Sequence, residues 1–143
     1  MIRVARTMLV PVAMQDLVVY LADFAHAEEW DPATVSCVRL DAGPVAPGSR
    51  WRNTSRFRGR EAELSYRLDV QEGDRLVFSG ENRTVAVTDD LRFTPVEGGA
   101  TRLVYTATFR FKGVARLAAP FVRGEVERLG DGVAAALPRA AAR

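Results

Sequence analysis

The sequence predicts an α+β fold: a curved antiparallel β-sheet wrapped around a long C-terminal helix, with two short helices after the first strand. Three observations predict it. Between about Thr34 and Lys112 apolar and polar residues alternate, interrupted at Gly43-Pro44, Pro47-Gly48, Arg58-Gly59, Gly73-Asp74 and Gly98-Gly99, the punctuation of an antiparallel meander. From Val114 to about Leu137 apolar residues recur at helical spacing. Between Val12 and Trp30 the period changes from that of a strand to that of a helix.

The elements follow in order. Ile2, Val4, Met8 and Val10 share one side of a strand closed by Pro11, with Arg6 interrupting that apolar side. Leu17, Tyr20, Leu21 and Phe24 then mark a helix to about Ala22, and a second short helical piece runs towards Trp30. Asp31-Pro32 ends it, because proline lacks an amide donor and restricts the residue before it. In the meander, Leu64, Tyr66 and Leu68 oppose Glu63, Ser65 and Arg67, and Leu103, Tyr105, Ala107, Phe109 and Phe111 oppose Arg102, Thr106 and Arg110. The same rule turns Trp51, Asn53, Ser55 and Phe57 inward, then Leu76 and Phe78, then Val85, Val87, Asp89, Leu91 and Phe93. In the last segment Pro120 either kinks the helix or opens a fresh first turn.

At 143 residues the chain has room for one domain, taken as residues 1–143, and buries enough surface to need no metal or disulfide staple. One cysteine, Cys37, and one histidine, His26, exclude an internal disulfide and a Cys/His zinc site, so neither metal nor cofactor is expected. No G-x-S-x-G or comparable nucleophile signature is present. The net charge of +2 does not make nucleic acid a partner, and no apolar run is long enough for an integral membrane segment. The expectation is a cytoplasmic protein, monomer or homodimer.

Polar residues on apolar faces carry the functional signal, since an interior polar group must find a partner in the protein or in a ligand. Four stand out: Arg6 on the first strand, Asn53 beside Trp51, Asp89 between Val87 and Leu91, and Glu125, which a helical count from Leu117 places between Phe121 and Leu129. Arg6 could pair with Glu125 or Asp89, or these groups could orient a ligand. Tyr66 and Tyr105 add inward phenols, able to donate to a carbonyl or to serve as acids. Trp30, Trp51, Phe57, Phe78, Phe109 and Phe121 supply flat walls for a ligand or ordinary core packing.

Tyr20-Leu21-Ala22-Asp23-Phe24, Glu29-Trp30-Asp31-Pro32, Gly43-Pro44 with Gly48-Ser49-Arg50-Trp51, Gly98 to Tyr105, and Gly113 followed by Arg116-Leu117 and Pro120 occur in an order that resembles a known family. The chain is similar to the polyketide cyclase/dehydrase-like branch of the helix-grip superfamily, which also holds START and birch-pollen-allergen-like domains (SRPBCC). The resemblance implies six or seven strands around the last helix and an internal cavity for a hydrophobic ligand. It transfers no catalytic residue, and it makes Trp30-Asp31-Pro32 a structural corner at the cavity entrance.

The leading reading is binding or transport of a small hydrophobic molecule (lipid, isoprenoid or polyketide-like) between sheet and C-terminal helix. The alternative is a polyketide cyclase, aromatase or dehydratase using cavity Tyr, Arg and Glu groups. A second alternative is a protein-interaction module presenting Arg50, Arg52, Arg56, Arg58 and Arg60 on the outer sheet face.

Overall fold

The alternating segments form one seven-stranded antiparallel sheet in the computed structural model, which describes residues 1–143. The strands are β1 (Ile2–Val10), β2 (Thr34–Arg39), β3 (Arg50–Phe57), β4 (Arg60–Glu72), β5 (Arg75–Glu81), β6 (Val85–Val96) and β7 (Ala100–Phe111). Their order is β1-β7-β6-β5-β4-β3-β2, so the meander is continuous from β2 to β7 and the first strand closes against the last, Ile2 opposite Phe109 and Val10 opposite Thr101. Register shifts between Thr34 and Ser36 and between Leu68 and Val70 bend the strands, which lets the sheet curl.

Helix α1 (Met14–Ala22), a 3₁₀ turn over Phe24–His26 and α2 (Ala27–Trp30) carry the chain from one sheet edge to the other. The last segment is not one helix. Gly113–Ala118 is a 3₁₀ turn, and α3 (Ala119–Ala141) starts afresh with Pro120 in its first turn, where a missing amide hydrogen costs nothing. Val122, Val126, Val133, Leu137 and Ala140 form the buried stripe of α3. This helix packs on β1 and α2, and its approach to β1 requires glycine: a Cβ at Gly130 would lie 2.7 Å from Val4 Cγ2.

The core lies between sheet and helices. Trp30, Trp51, Phe78, Leu17, Leu21 and Leu68 have essentially no exposed surface, and Phe24 sits among Trp51, Tyr66 and Phe78 at ring separations of 4.4 to 6.2 Å. No helix is long and apolar enough to cross a membrane.

Candidate functional site

A cavity of about 190 Å³ opens between the concave face of β3, β4, β6 and β7 and the side of α3. Fourteen of its twenty-one lining residues are hydrophobic, so most of its wall offers only dispersion contacts. Phe57, Phe109 and Phe111 line it towards the strand ends, and Val4, Ala107 and Val133 line it where sheet and helix meet.

Eight polar side chains interrupt this wall, the two tyrosines being counted among the fourteen for their rings: Ser55, Arg56, Asn82 and Thr84, and the acids and phenols Asp31, Asp89, Tyr66 and Tyr105. Strand alternation turns Asp89 of β6 and Tyr105 of β7 to the same inner face, and the Tyr105 hydroxyl donates to Asp89 Oδ1 at 3.1 Å. Asp89 is 3% exposed, and no cation lies beside it. Burial therefore pushes its carboxyl up to about 7; the hydrogen bond from Tyr105 opposes that rise and the nearby charge of Asp31 adds to it. Tyr66, from β4, directs its own hydroxyl towards the same carboxyl without a close hydrogen bond of its own. Its ring lies over Gly80, the residue opposite it on β5, where any Cβ would come within 2.6 Å of ring carbons. Burial, with the negative charge of Asp89, holds both phenols well above their ordinary range.

Asp31 arrives from the other wall. Proline at position 32 keeps it extended at the end of α2, and its Oδ1 accepts the amide hydrogen of Ala33 at 3.0 Å, an Asx turn that fixes the carboxyl locally. Thr34 donates to Oδ2 at 3.0 Å, Asn53 Nδ2 donates to the Thr34 hydroxyl at 3.2 Å, and Ser55 donates to Asn53 Oδ1 at 2.5 Å. Burial raises the pKa of Asp31, with its two hydrogen bonds opposing. The cavity thus holds two acids and two phenols, and no buried cation neutralises them. Arg56 reaches only the rim, where it pairs with Glu61 at 3.2 Å.

Of the residues singled out from the sequence, Phe57, Tyr66, Asp89, Tyr105 and Phe109 line this cavity. Trp30, Trp51 and Phe78 do not: they are core, Trp51 Nε1 donating to Asp23 at 3.1 Å and Trp30 packing edge-on against Tyr105 at 6.1 Å. Asn53 stands behind the wall, as the support of Thr34 and Asp31 just described. Arg6 pairs with neither Glu125 nor Asp89; it bridges Glu127 at 2.8 Å and Asp131 at 2.9 Å along the seam of β1 and α3. Glu125 pairs with Arg128 one turn on, and Phe121 is 78% exposed. Both corrections have one cause: Leu117, where the count begins, is itself 77% exposed, so the arc laid from it through Phe121 and Glu125 runs beside the buried stripe of Val122, Val126, Val133 and Leu137 rather than on it.

From the sequence Asp31 reads only as part of a structural corner, yet it lines the cavity. Its Asp-Pro-Ala-Thr context is an Asx-turn signal, but its facing Asp89 follows only from the folding of α2 against the sheet. Neither of the remaining reactive side chains offers chemistry: burial pushes the Cys37 thiol up to about 12, and His26 Nδ1 is held by the Tyr20 carbonyl at 2.6 Å with its ring stacked on that tyrosine. A shallower groove of about 350 Å³ crosses the outer sheet face between Arg50, Arg67 and Arg110. Its charge is mixed: Arg67 pairs with Asp69, and Glu81, which also lines the groove, pairs with Lys112. The outer arginines of β3 likewise meet Glu63 and Glu61 of β4, so this face is mixed in sign.

A curled seven-stranded sheet closing on a C-terminal helix around an apolar cavity is the helix-grip fold. The chain belongs to the family described as polyketide cyclase / dehydrase and lipid transport, which matches residues 1–141. Solved structures share the fold at low sequence identity. A Thermus thermophilus protein superposes with a TM-score of 0.81 at 14% identity, over 98% of this chain and 97% of the other. A START superfamily protein from Mycobacterium smegmatis gives 0.78 at 15%, over 95% and 94%. The Zhui aromatase/cyclase of a Streptomyces species gives 0.75 at 17%, over 97% and 90%. No curated protein matches the sequence.

Proposed function

We propose that the protein binds one small, mainly apolar, uncharged molecule in the cavity, with a hydroxyl or carbonyl group turned to Asp89, Tyr66 and Asp31. The observation that carries this reading is the Asp89 carboxyl, buried against Tyr105 in a mainly apolar chamber and left open on the cavity side. A fatty acid or phosphate would set its charge against two carboxyls and is disfavoured. Size narrows the class further. An apolar cavity of about 150 Å³ takes up benzene, so about 190 Å³ suits a single ring or a short branched chain. Family membership supports the same class, hydrophobic ligands of the polyketide and lipid type.

Native mass spectrometry with a panel of ring compounds carrying one hydroxyl or carbonyl tests this. Monocyclic members should give one-to-one adducts and four-ring members none. Ala107→Leu, which fills the chamber from β7, should abolish the adducts without unfolding the protein. Retention of ligand by that variant, or binding of four-ring compounds alone, would sink the reading.

One observation favours a second reading, turnover of the bound molecule. A carboxyl that titrates near 7 beside a tyrosine is matched to proton transfer at neutral pH, as in enolisation next to a carbonyl or the dehydration that follows cyclisation. Exchange of ligand α-protons for deuterium, lost in Asp89→Asn, is the expected sign; exchange equal in both proteins would leave binding alone.

A further inference from the structure

The three most exposed large apolar side chains after the chain start lie within eight positions of one another. Val114 is 87%, Leu117 77% and Phe121 78% exposed, on the 3₁₀ turn and first turn of α3. Exposed apolar residues scattered singly are ordinary, but three within eight positions form a patch that something covers. The charges within the segment are of one sign as far as Glu125, which pairs with Arg128. Residues 110–124 contain Arg110, Lys112, Arg116 and Arg123 and no acid, in a chain whose net charge is only +2. Lys112 is neutralised by Glu81, beside which Arg110 also stands on the outer sheet face, whereas Arg116 and Arg123 make no ion pair. Between Gly113 and Gly124 the only polar side chains are Arg116 and Arg123; the rest are Gly, Ala, Pro, Val, Leu and Phe. A protein partner would meet few directional groups there, whereas apolar anchors flanked by arginines match the interface of an anionic bilayer. The segment also continues directly from Phe109 and Phe111, which line the cavity, so a bilayer seated on it would lie beside the cavity mouth.

We infer that residues 113–124 form a docking surface for an anionic lipid bilayer, with Val114, Leu117 and Phe121 entering the headgroup region and Arg116 and Arg123 contacting lipid phosphates. This surface is separate from the cavity, and its test does not depend on what the cavity binds.

Flotation of the purified protein with phosphatidylcholine vesicles, with and without phosphatidylglycerol, reads it out. The protein should float with the anionic vesicles, and high salt should release it. The double variant Leu117→Ser/Phe121→Ser should partition at least about tenfold more weakly, because two anchors are lost. Arg116→Gln/Arg123→Gln should remove most of the preference for phosphatidylglycerol while leaving some binding to neutral lipid. All four side chains are exposed, so unchanged thermal unfolding should show that the variants fold. No flotation with anionic vesicles overturns the inference, as does flotation that survives loss of Leu117 and Phe121. A dimer in solution that the serine pair dissociates would also overturn it, by making the patch a contact between copies of the chain.

Discussion

Two groups of charged residues interrupt the apolar face of this fold, and they are resolved in opposite ways. Along the β1–α3 seam, Arg6 meets Glu127 and Asp131, so each charge finds its complement within the protein and partly in solvent. In the cavity, Asp31 and Asp89 face each other's field without a cation, satisfied only by hydroxyl and amide donors. The seam is closed chemistry that holds a helix to a strand. The cavity keeps acceptor capacity unspent, and this unspent capacity marks it as the place for a ligand.

The difference should be largest in the dependence of stability on pH. Asp89 holds its proton up to about 7 in the folded chain but only to the ordinary 3.8 when unfolded. Between those values the native state binds more protons, so stability falls as pH rises through that window, by up to about 4 kcal/mol at 1.36 kcal/mol per unit. Asp89→Asn cannot titrate, yet its side-chain oxygen can still accept from Tyr105. Denaturant unfolding should find the two proteins similar below pH 4 and the variant increasingly the more stable towards pH 7. Parallel curves would mean that Asp89 is not desolvated. The same titration governs the ligand: a carbonyl compound should bind best below about pH 7, where Asp89 can donate, and a hydroxyl donor best above it.

Next in size is the glycine that admits Tyr66. Gly80→Ala places a Cβ within 2.6 Å of the ring, so the ring must move, at a cost of about 1–3 kcal/mol for overpacking. The displacement takes the hydroxyl away from Asp89, so ligand affinity should fall together with stability. Tyr66→Phe keeps the ring in place and should lower affinity alone. A Gly80→Ala protein with wild-type affinity would show that the Tyr66 hydroxyl takes no part in binding.

Strand alternation made the inner face legible before any tertiary contact was known: Tyr66, Asp89, Tyr105, Phe57 and Phe109 are inward because their neighbours in sequence are outward, and the cavity is built on them. What alternation cannot supply is depth. It gives Trp51, Phe78 and Asn53 the same side as Phe57, but α1 and the 24–26 turn cover one half of the concave face and leave the other open. The helical count fails because an apolar residue need not be an inward one: Leu117, on the 3₁₀ turn, faces solvent, and an arc anchored on it carries Phe121 and Glu125 outside the buried stripe that begins at Val122. Asp31 escaped because a residue that ends a helix before proline has a sufficient structural explanation, and only the fold shows that it also has a second neighbour in Asp89.

The seam should give the smallest effect, and that is what makes it a control. Arg6 retains about a quarter of its side-chain exposure, and its partners Glu127 and Asp131 are 46% and 70% exposed. An ion pair so open to water is worth about 0.2–1 kcal/mol, and salt screens it further. Asp131→Asn leaves the contact of Arg6 with Glu127 in place, so unfolding should shift by less than about 1 kcal/mol and ligand affinity should not change. In added salt the difference from wild type should vanish, whereas the Asp89 effect, set by desolvation rather than by an exposed pair, should persist. A loss of several kcal/mol at Asp131 would reverse the comparison, making the seam rather than the cavity the place where buried charge governs the molecule.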